Sequence, residues 1–407
     1  MWIKGFLSDF IFYWTGSNLA GLGLAAFCDL MYRILDMKTI RILGGGLSGL
    51  TAAINLKRAG VDVEVHERKR FCGKHTNDFQ FLENWTFEDD ALAILQNANI
   101  QTNFYIKPWH SLELISPSLK KCLKRSSQPL MYLLKRGPME DSIDHALQKQ
   151  ATDARIPIIF RSKLNADDAN IIATGIKEPT FIATGITFPF DHPDKAIALF
   201  DDRLSLGIYS YFVVNDNVGE IASINPADRK DHKARFDLAV KRFEEILNFK
   251  VTTITYRFAS PFSFYFLKPA KINNQYLIGE AAGFQDCLFG FGMMYALKSG
   301  YYGAQSIFKN DDYDRLWQAD MLKPLTVSRA SRFLFERLSN DGYEKLVRML
   351  DSQNWVIVKL LGGDDLQHIL KMIYNHSLSY FLRLLVFWKR LTPIYKFILS
   401  LAGGGRC

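Results

Sequence analysis

The sequence predicts an α/β protein with a second, antiparallel sheet and a helical C-terminal region. From Thr39 onward, short apolar segments alternate with segments of helical spacing, which is the pattern of strands covered by helices. Between about residues 180 and 260, β-branched and aromatic runs are separated by turn signals, as in antiparallel strands. After residue 311 the chain has mostly helical periodicity.

Each element follows from a local pattern. The stretch "TIRIL" (39–43) is a short apolar strand, helical spacing runs through 47–59, and "VDVEVHE" (61–67) alternates as a second strand. Further helices are predicted at 86–98, 139–151, 232–247 and 292–308, and further strands at 155–160, 169–173 and 275–278.

The composition indicates a large globular protein in a reducing compartment. The chain has 407 residues, of which 48% are hydrophobic, and a net charge of +8. Its basic residues form no dense run with interleaved aromatic residues, so we expect no nucleic-acid partner. The five cysteines have neither metal-ligand nor C-x-x-C spacing. We therefore expect no bound metal and no disulfides, and a cytoplasmic location.

A glycine-rich turn after the first strand has the pattern G-x-G-x-x-G. Gly44 allows a tight turn, Gly46 lets the backbone approach a pyrophosphate, and Gly49 lets the following helix pack closely on the strand. The N-terminus of that helix offers free N–H groups to phosphates. Glu67 ends the next strand, where a carboxylate accepts from ribose hydroxyls and disfavours a 2′-phosphate. The pattern predicts FAD or NAD rather than NADP.

A second glycine-rich stretch, "LIGEAAGFQDCLFGFG" (277–292), also follows a strand and precedes a helix. Such a turn is another site for an anion at a helix N-terminus. Gly44 and Gly279 are 235 residues apart in the chain. Two such turns suit one long cofactor that needs contacts at both ends, whereas NAD would leave the second turn unused.

The segments "IRILGGGLSGLTAAINLKRAGVDVEVHER" and "YLIGEAAGFQDCLFGFGMMYALKSGYYGAQSI" together resemble the two ends of a flavoprotein of the p-hydroxybenzoate hydroxylase superfamily. Within that superfamily the chain is most similar to the geranylgeranyl reductase branch. The resemblance implies FAD as the cofactor and places the second turn on its ribityl chain and pyrophosphate. Glu280 stands where the family has aspartate, and the resemblance is weaker around Arg136.

The resemblance and the glycine turns together define a set of predicted cofactor-binding residues. These are Gly44, Gly46, Leu47, Ser48, Gly49, Glu67, Arg68, Arg136, Thr174, Gly175, Gly279, Glu280, Ala281, Gly290 and Gly292.

The sequence departs from the family at several positions. Ala173-Thr174-Gly175 replaces the Asp-Gly of the middle motif, which weighs against a monooxygenase. The family's Tyr-x-Trp-x-Phe-Pro substrate motif is reduced to a Tyr-x-Tyr-Phe around Tyr211. Cys72 precedes a single glycine of a Cys-Gly-Gly motif, and Cys287 occupies the place of a proline. Cys72, Cys287 and Tyr211 are the candidates for a catalytic role, with a purely structural role as the alternative for both cysteines.

The implied fold is an FAD-binding Rossmann-like (GR2-type) domain with an inserted antiparallel-sheet substrate domain and a helical C-terminal region. We predict the FAD-binding domain at 37–175 and 270–310, the substrate domain at 176–269 and the helical region at 311–407. Residues 1–36 are predicted to be an apolar N-terminal extension or a membrane-associated segment.

The C-terminal segment 377–401 has the spacing of an amphipathic helix with a basic side. Such a helix suits either a membrane surface, where its basic residues would meet lipid headgroups, or an apolar face of the flavin domain. We therefore expect a cytoplasmic protein with a candidate peripheral position at the inner face of the membrane.

The resemblance implies an FAD-dependent oxidoreductase that reduces carbon–carbon double bonds of an apolar, isoprenoid or lipid, substrate by hydride transfer at flavin N5. NAD(P)H is a candidate external electron donor. One alternative is a flavin monooxygenase of the same superfamily, and another is a membrane-associated flavin-binding protein without catalysis. The sequence leaves the substrate and the oligomeric state open.

Overall fold

The structure, a computed structural model, describes residues 39–74, 76–265, 267–351 and 365–375. The predicted extension at 1–36 and the predicted amphipathic segment at 377–401 lie outside these residues. Within the described part of the chain, every helix is too short or too polar to cross a membrane.

The strands and helices are named here in chain order. They are β1 (Ile40–Leu43), α1 (Leu47–Arg58), β2 (Val63–Glu67), β3 (Phe79–Glu83), α2 (Ala91–Asn97), β4 (Ile106–Trp109), β5 (Ser111–Ile115), β6 (Lys121–Arg125), β7 (Met131–Lys135), α3 (Ile143–Asp153), β8 (Ile158–Phe160), β9 (Ile171–Ile172), β10 (Phe181–Pro189), β11 (Lys195–Leu199), β12 (Ser210–Asn215), β13 (Val218–Pro226), α4 (His232–Leu247), β14 (Tyr256–Phe262), β15 (Lys271–Ile272), β16 (Gln275–Leu277), α5 (Met293–Lys309), α6 (Tyr313–Phe335), α7 (Ser339–Asp351) and α8 (Leu366–Asn375).

A six-stranded sheet carries both glycine turns. Its order is β15-β16-β9-β1-β2-β8, and all neighbours are parallel except β15 and β16. Because β16, β9 and β1 are adjacent and parallel, the turns that leave their carboxyl ends meet at one edge of the sheet. This is the edge at which open α/β sheets bind their ligands.

Helices α1 and α5 pack directly against each other beside this sheet. A Cβ added at Gly300 would lie 2.3 Å from the carbonyl oxygen of Ser48, so only a glycine permits the approach. Ser299, next to it on α5, accepts a hydrogen bond from the Gly279 N–H at 2.8 Å. The small residues of α5 therefore hold the second glycine turn against the helix of the first.

A seven-stranded sheet forms the second layer, in the order β14-β10-β13-β12-β11-β5-β6. All its pairs are antiparallel except β5 with β11, which are parallel. Helix α4 covers one face, where Phe236 and Phe243 pack with Phe212. The predicted antiparallel sheet with one helix at 232–247 is thus present.

The sequence pattern does not predict the five strands between Phe79 and Lys135. Strands β3, β7 and β4 form a separate three-stranded antiparallel sheet, while β5 and β6 extend the seven-stranded sheet. Strand β6 ("KCLKR") is charged except around the buried Cys122, so its alternation is weak. Strand β5 pairs with β11 more than 80 residues later, as in Glu113 beside Ile197, and no local pattern encodes such a partner.

Two predicted helix starts, at 86 and at 139, were wrong because capping side chains place them later. Helix α2 begins at Ala91, after Asp90, whose carboxylate accepts from the Leu92 N–H at 2.8 Å. Helix α3 begins at Ile143, after Ser142, whose hydroxyl accepts from the His145 N–H at 3.1 Å.

Three helices follow α5 in the described part of the chain, as the periodicity after 311 predicts. Helix α8 is joined to the rest of the described chain by hydrogen bonds between distant residues. The Tyr374 hydroxyl donates to the Asp286 carboxylate at 2.7 Å, and the Gln367 side chain donates to the carbonyl of Asn84 at 3.0 Å. The C-terminal helices thereby reach the second glycine turn.

Candidate functional site

The first glycine turn is tightly packed on one side and open on the other. Gly44 has φ +113°, and a Cβ added there would lie 2.3 Å from the carbonyl oxygen of Ala173. A Cβ at Gly49 would lie 2.0 Å from the Gly44 carbonyl oxygen. A Cβ at Gly46, in contrast, would meet no heavy atom within 4 Å. The turn is therefore shaped to leave free space at Gly46.

Glu67 is held in place by the backbone around it. The side chain is 7% exposed; its Oε2 accepts from the Gly45 N–H and its Oε1 from the Lys69 N–H, both at 2.8 Å. Each carboxylate oxygen keeps a second lone pair that a ligand hydroxyl can use. The carboxylate predicted to accept from the ribose is thus fixed before any ligand arrives.

The N-termini of α1 and α5 are free for a ligand. Asp90, Ser142 and Asp312 cap α2, α3 and α6 with their side chains. The residues before α1 and α5 are Gly46 and Gly292, which provide no side-chain cap, and neither helix has an acidic residue in its first turn. Their orphan N–H groups and positive helix ends are therefore available to phosphates or other acceptors.

The second glycine turn contains a carboxylate without a partner. Among the residues that the structure describes, no hydrogen bond reaches the Glu280 carboxylate, which faces Gly175 across the site. Burial raises the pKa of Glu280, and the positive charges of Lys74 and Arg136 oppose that rise. Gly279, in the same turn, has φ +59° and packs against Ser48.

Arg136 is buried in an ion pair beside the site. Its Nε and Nη2 donate to the two carboxylate oxygens of Asp144, at 2.7 and 2.9 Å. Although burial opposes ionisation of Asp144, the guanidinium lowers the pKa of that carboxyl. Both acceptor atoms of Asp144 are therefore occupied by Arg136, and the pair gives this wall of the site a fixed shape.

The two candidate cysteines are buried away from the cavity described below. Cys72 is 2% exposed and Cys287 is 1% exposed. Burial, and to a smaller extent nearby carboxylates, raises the pKa of each thiol to about 12. A thiol of this kind is protonated at neutral pH and packs as a small apolar group.

Tyr211 lies on the cavity wall and has a buried partner that sequence reasoning missed. Its hydroxyl donates to Glu220 Oε1 at 3.0 Å, and Glu220 is fully buried in β13. The only signal in the sequence is one acidic residue within the otherwise uncharged strand "VGEIASINP". Tyr209, two residues earlier, donates to the carbonyl of Phe289 at 2.7 Å and joins this sheet to the second glycine turn.

One continuous cavity of about 1350 Å³ connects these features. Most of the predicted cofactor-binding residues line it: Gly44, Gly46, Leu47, Ser48, Glu67, Arg68, Arg136, Thr174, Gly175, Glu280, Gly290 and Gly292. Gly49, Gly279 and Ala281 do not line the cavity. Tyr211 also lines the cavity, whereas Cys72 and Cys287 do not.

Beyond Tyr211 the cavity becomes apolar. Helices α6, α7 and α8 line this part together with the seven-stranded sheet, through Leu334, Phe335, Leu346, Leu350, Leu370 and Ile373. Several charged residues of the wall, among them Glu67, Arg68, Lys69 and Lys163, lie toward the first glycine turn, and Glu280 lies in the second. The cavity therefore has a polar end and an apolar end.

The polar end fits FAD. The open space at Gly46 and the free N-terminus of α1 suit the pyrophosphate, and the fixed carboxylate of Glu67 suits the ribose. Farther along, the free N-terminus of α5 and the unpartnered carboxylate of Glu280 suit a hydroxylated chain that continues past the pyrophosphate. A dinucleotide of the length of FAD reaches both turns.

These features define the class of the protein: an α/β protein with a flavoprotein fold and a cavity that fits a dinucleotide. The family model of the NAD(P)-binding Rossmann-like domain matches residues 42–104. A hydroxysqualene dehydroxylase of Rhodopseudomonas palustris is 36% identical over 62 residues, which are 15% of each chain. The match therefore covers only a small part of this relative's length.

Solved structures match over most of the chain. A geranylgeranyl bacteriochlorophyll reductase-like protein from Thermoplasma acidophilum has a TM-score of 0.67 and 18% identity, over 85% of this chain and 98% of its own. A flavin-dependent brominase has a TM-score of 0.56 and 14% identity over 87% and 99%. A flavoprotein/dehydrogenase from Cytophaga hutchinsonii has a TM-score of 0.57 and 12% identity over 83% and 92%. The predicted resemblance is thus confirmed at the level of the fold.

Proposed function

We propose that this chain is an FAD-dependent oxidoreductase that reduces a carbon–carbon double bond in an apolar, isoprenoid or lipid, substrate. The observation that carries the proposal is the single cavity that joins a dinucleotide site to an apolar compartment. Large, mostly apolar pockets with a few placed polar groups are typical of small-molecule sites. The Thermoplasma protein is named a geranylgeranyl bacteriochlorophyll reductase-like protein, which supports a substrate with an isoprenoid part.

The polar end supplies binding and orientation. The free N–H groups at the start of α1 hold the pyrophosphate, and Glu67 accepts from the adenosine ribose. Glu280 accepts from a hydroxyl of the ribityl chain. Bound FAD, reduced by an external donor such as NAD(P)H, supplies a hydride equivalent.

The apolar end supplies substrate selection and excludes water. Phe335 packs between the rings of Phe200 and Tyr343, at centroid distances of 5.7 and 5.2 Å, and forms part of the apolar wall. On another side Trp85 packs edge-to-face on Phe291 at 5.2 Å, next to the second glycine turn. A hydrocarbon chain bound against such walls buries apolar area, which contributes roughly 25 cal/mol per Å².

The positions at which the sequence differs from the family help to choose between the alternative functions. The missing Asp-Gly of the middle motif weighs against a flavin monooxygenase, and Ala173 in its place packs directly on Gly44. A contact of residues 377–401 with a membrane surface, and a peripheral location at the inner face of the membrane, stay predictions.

The test is an anaerobic half-reaction with purified, FAD-loaded protein. The flavin is reduced with NADPH or dithionite, a geranylgeranyl lipid in detergent is added, and the flavin spectrum and the lipid mass are followed. The proposal expects the flavin to reoxidise without oxygen and the lipid to gain two hydrogen atoms per reduced bond. Reoxidation only with oxygen, with release of peroxide, would support the monooxygenase instead. A yellow protein that no donor reduces would support a non-catalytic flavin-binding protein.

A further inference from the structure

We propose that Tyr211 and Glu220 form a proton relay in which Tyr211 protonates the substrate carbon adjacent to the carbon that receives hydride. This inference rests on the proposed function, because it assigns the second half of the same reduction. Adding H₂ across a double bond requires one hydride and one proton. The bound cofactor accounts for the hydride, and a group on the cavity wall has to supply the proton.

Tyr211 has the position that this role requires. It lines the cavity, and its ring packs against the apolar cluster that contains Trp85, Trp109 and Met131. Its hydroxyl, in contrast, bonds to a carboxyl group at 3.0 Å. The side chain therefore stands at the border between the polar and the apolar parts of the cavity, where a substrate bond next to the cofactor would lie.

Glu220 is placed as a proton source behind Tyr211. It is fully buried, its Oε2 accepts from the Phe79 N–H at 2.8 Å, and its Oε1 meets the Tyr211 hydroxyl. The charged and titratable groups that face the pair are Asp78 and Lys74 from the segment before β3, and Tyr209 from just before β12. Lys74 lies 3.5 Å from Asp78 Oδ2 and also lines the cavity.

The environment favours the protonated form of both groups. Burial, and then the charge of Asp78, raises the pKa of Glu220 well above its ordinary value, although the hydrogen bonds from Phe79 and Tyr211, and then the charge of Lys74, oppose the rise. Burial and then Glu220 raise the pKa of Tyr211 in the same direction. A protonated Glu220 can donate to the Tyr211 oxygen, which leaves the phenolic hydrogen free to point into the cavity.

The substrate C=C bond accepts a hydride on one carbon and a proton from the Tyr211 hydroxyl on the other, so two C–H bonds form and the π bond breaks. The phenolate takes the carboxylic proton of Glu220. The Glu220 carboxylate is reprotonated from solvent, and the two electrons come from the reduced flavin.

A purely structural role explains only part of this geometry. A carboxylate that accepts from the Phe79 N–H would hold β3 against β13. That role uses one oxygen and is equally served by an amide, so it gives no reason for the second oxygen to meet a tyrosine on the cavity wall. Glu220→Gln separates the two roles, because the amide keeps the hydrogen bonds but cannot donate a carboxylic proton.

The first measurement detects the carboxylic proton of Glu220 and needs no catalytic turnover. Infrared spectra at neutral pH are expected to show a C=O band of protonated carboxyl that Glu220→Gln removes. Glu83→Gln is the matched control, because Glu83 is also fully buried with a raised pKa but does not line the cavity. It should remove a similar band without affecting substrate reduction. If Glu220→Gln removes no such band, Glu220 is ionised and the relay is wrong.

The second measurement is the anaerobic oxidation of reduced flavin by the geranylgeranyl probe. Tyr211→Phe is expected to slow it by about 100-fold or more and Glu220→Gln by about 10-fold, with reduction by the donor unchanged. Glu220→Gln should also flatten the alkaline limb of the pH profile. Wild-type rates in Tyr211→Phe would overturn the relay. If the wild-type protein does not reduce the probe although its infrared band of protonated carboxyl is present, the proposed function is wrong.

Discussion

The two glycine turns of the cavity differ in the hydrogen bonding of their carboxylates. At the first turn, both oxygens of Glu67 accept backbone N–H groups at 2.8 Å. At the second turn, Glu280 accepts no hydrogen bond from any residue in the described part of the chain, and burial raises its pKa. The Glu67 carboxylate therefore stabilises the local fold, whereas the Glu280 carboxylate is available to a ligand.

The glycines show the same contrast. At the first turn, the packing of Gly44 and Gly49 leaves Gly46 open, so the turn is complete in the ligand-free chain. At the second turn, Gly279 packs on Ser48, a residue of the first turn's helix. The second turn therefore packs on the helix that follows the first turn. It contributes the N–H groups at the start of α5 and the Glu280 carboxylate, which have no side-chain partner among the described residues. We therefore expect the first turn to fix the position of a bound cofactor and the second to select its length.

The largest effect is expected from Gly46→Asp. A Cβ at this position meets no heavy atom within 4 Å, and aspartate here can cap α1, so the fold should be kept. The side chain blocks and repels the pyrophosphate, so FAD affinity should fall by more than about 100-fold. Purification followed by absorbance measures the retained flavin.

Gly49→Ala is the matched control, because its Cβ would lie 2.0 Å from the Gly44 carbonyl oxygen and should lower the melting temperature instead. A Gly46→Asp protein that stays yellow would show that the pyrophosphate lies elsewhere.

Glu67→Gln is expected to destabilise the ligand-free fold. The amide replaces one carboxylate oxygen with a donor that faces the Gly45 or Lys69 N–H, and the remaining bond loses its charge assistance. We expect a loss of about 1.5–3 kcal/mol in the free energy of unfolding. Denaturant unfolding of FAD-free protein measures it. A change no larger than that of Glu280→Gln would remove the contrast between the two carboxylates.

Tyr374→Phe tests whether α8 supports the second turn. The substitution removes the 2.7 Å hydrogen bond to Asp286, a residue whose pKa is already raised by burial. We expect the free energy of unfolding to fall by about 1 kcal/mol, with faster amide exchange around residues 285–292 than around 44–49. Equal exchange at both turns would show that α8 contributes nothing specific to the second.

Glu280→Gln should have the smallest effect on stability, and its sign should depend on pH. Burial raises the pKa of Glu280 above its unfolded value, so the folded state binds more protons and loses stability as pH rises through that raised pKa. Glutamine does not titrate. The melting temperature of the FAD-free variant should therefore match wild type at pH 4 and exceed it slightly at pH 8. A variant less stable than wild type at pH 8 would show that the carboxylate has a partner.

The sequence predicts the parts of this molecule that have local causes. The strand–turn–helix around Gly44 and the helix at 232–247 follow from spacing and glycine mechanics over a few residues. The FAD assignment came from two distant turns and a family resemblance. Each of these turns is itself recognised from residues that lie close together in the chain.

The remaining features depend on partners that are distant in the chain. Strand β5 is recognisable only beside β11, and Glu220 has significance only once Tyr211 and Phe79 lie next to it. The same holds for the apolar end of the cavity, which forms where α6, α7 and α8 meet a sheet assigned to another domain. Sequence spacing gives no distance between such residues.

The most direct test compares the binding of FAD and ADP to the same FAD-free protein by titration calorimetry. ADP reaches the first turn only, whereas FAD reaches both. The account predicts one FAD per chain, bound about 100-fold more tightly than ADP, with Glu280→Gln weakening FAD but leaving ADP unchanged. Equal affinities for FAD and ADP, or a Glu280→Gln variant that weakens both alike, would contradict a cofactor held at two turns.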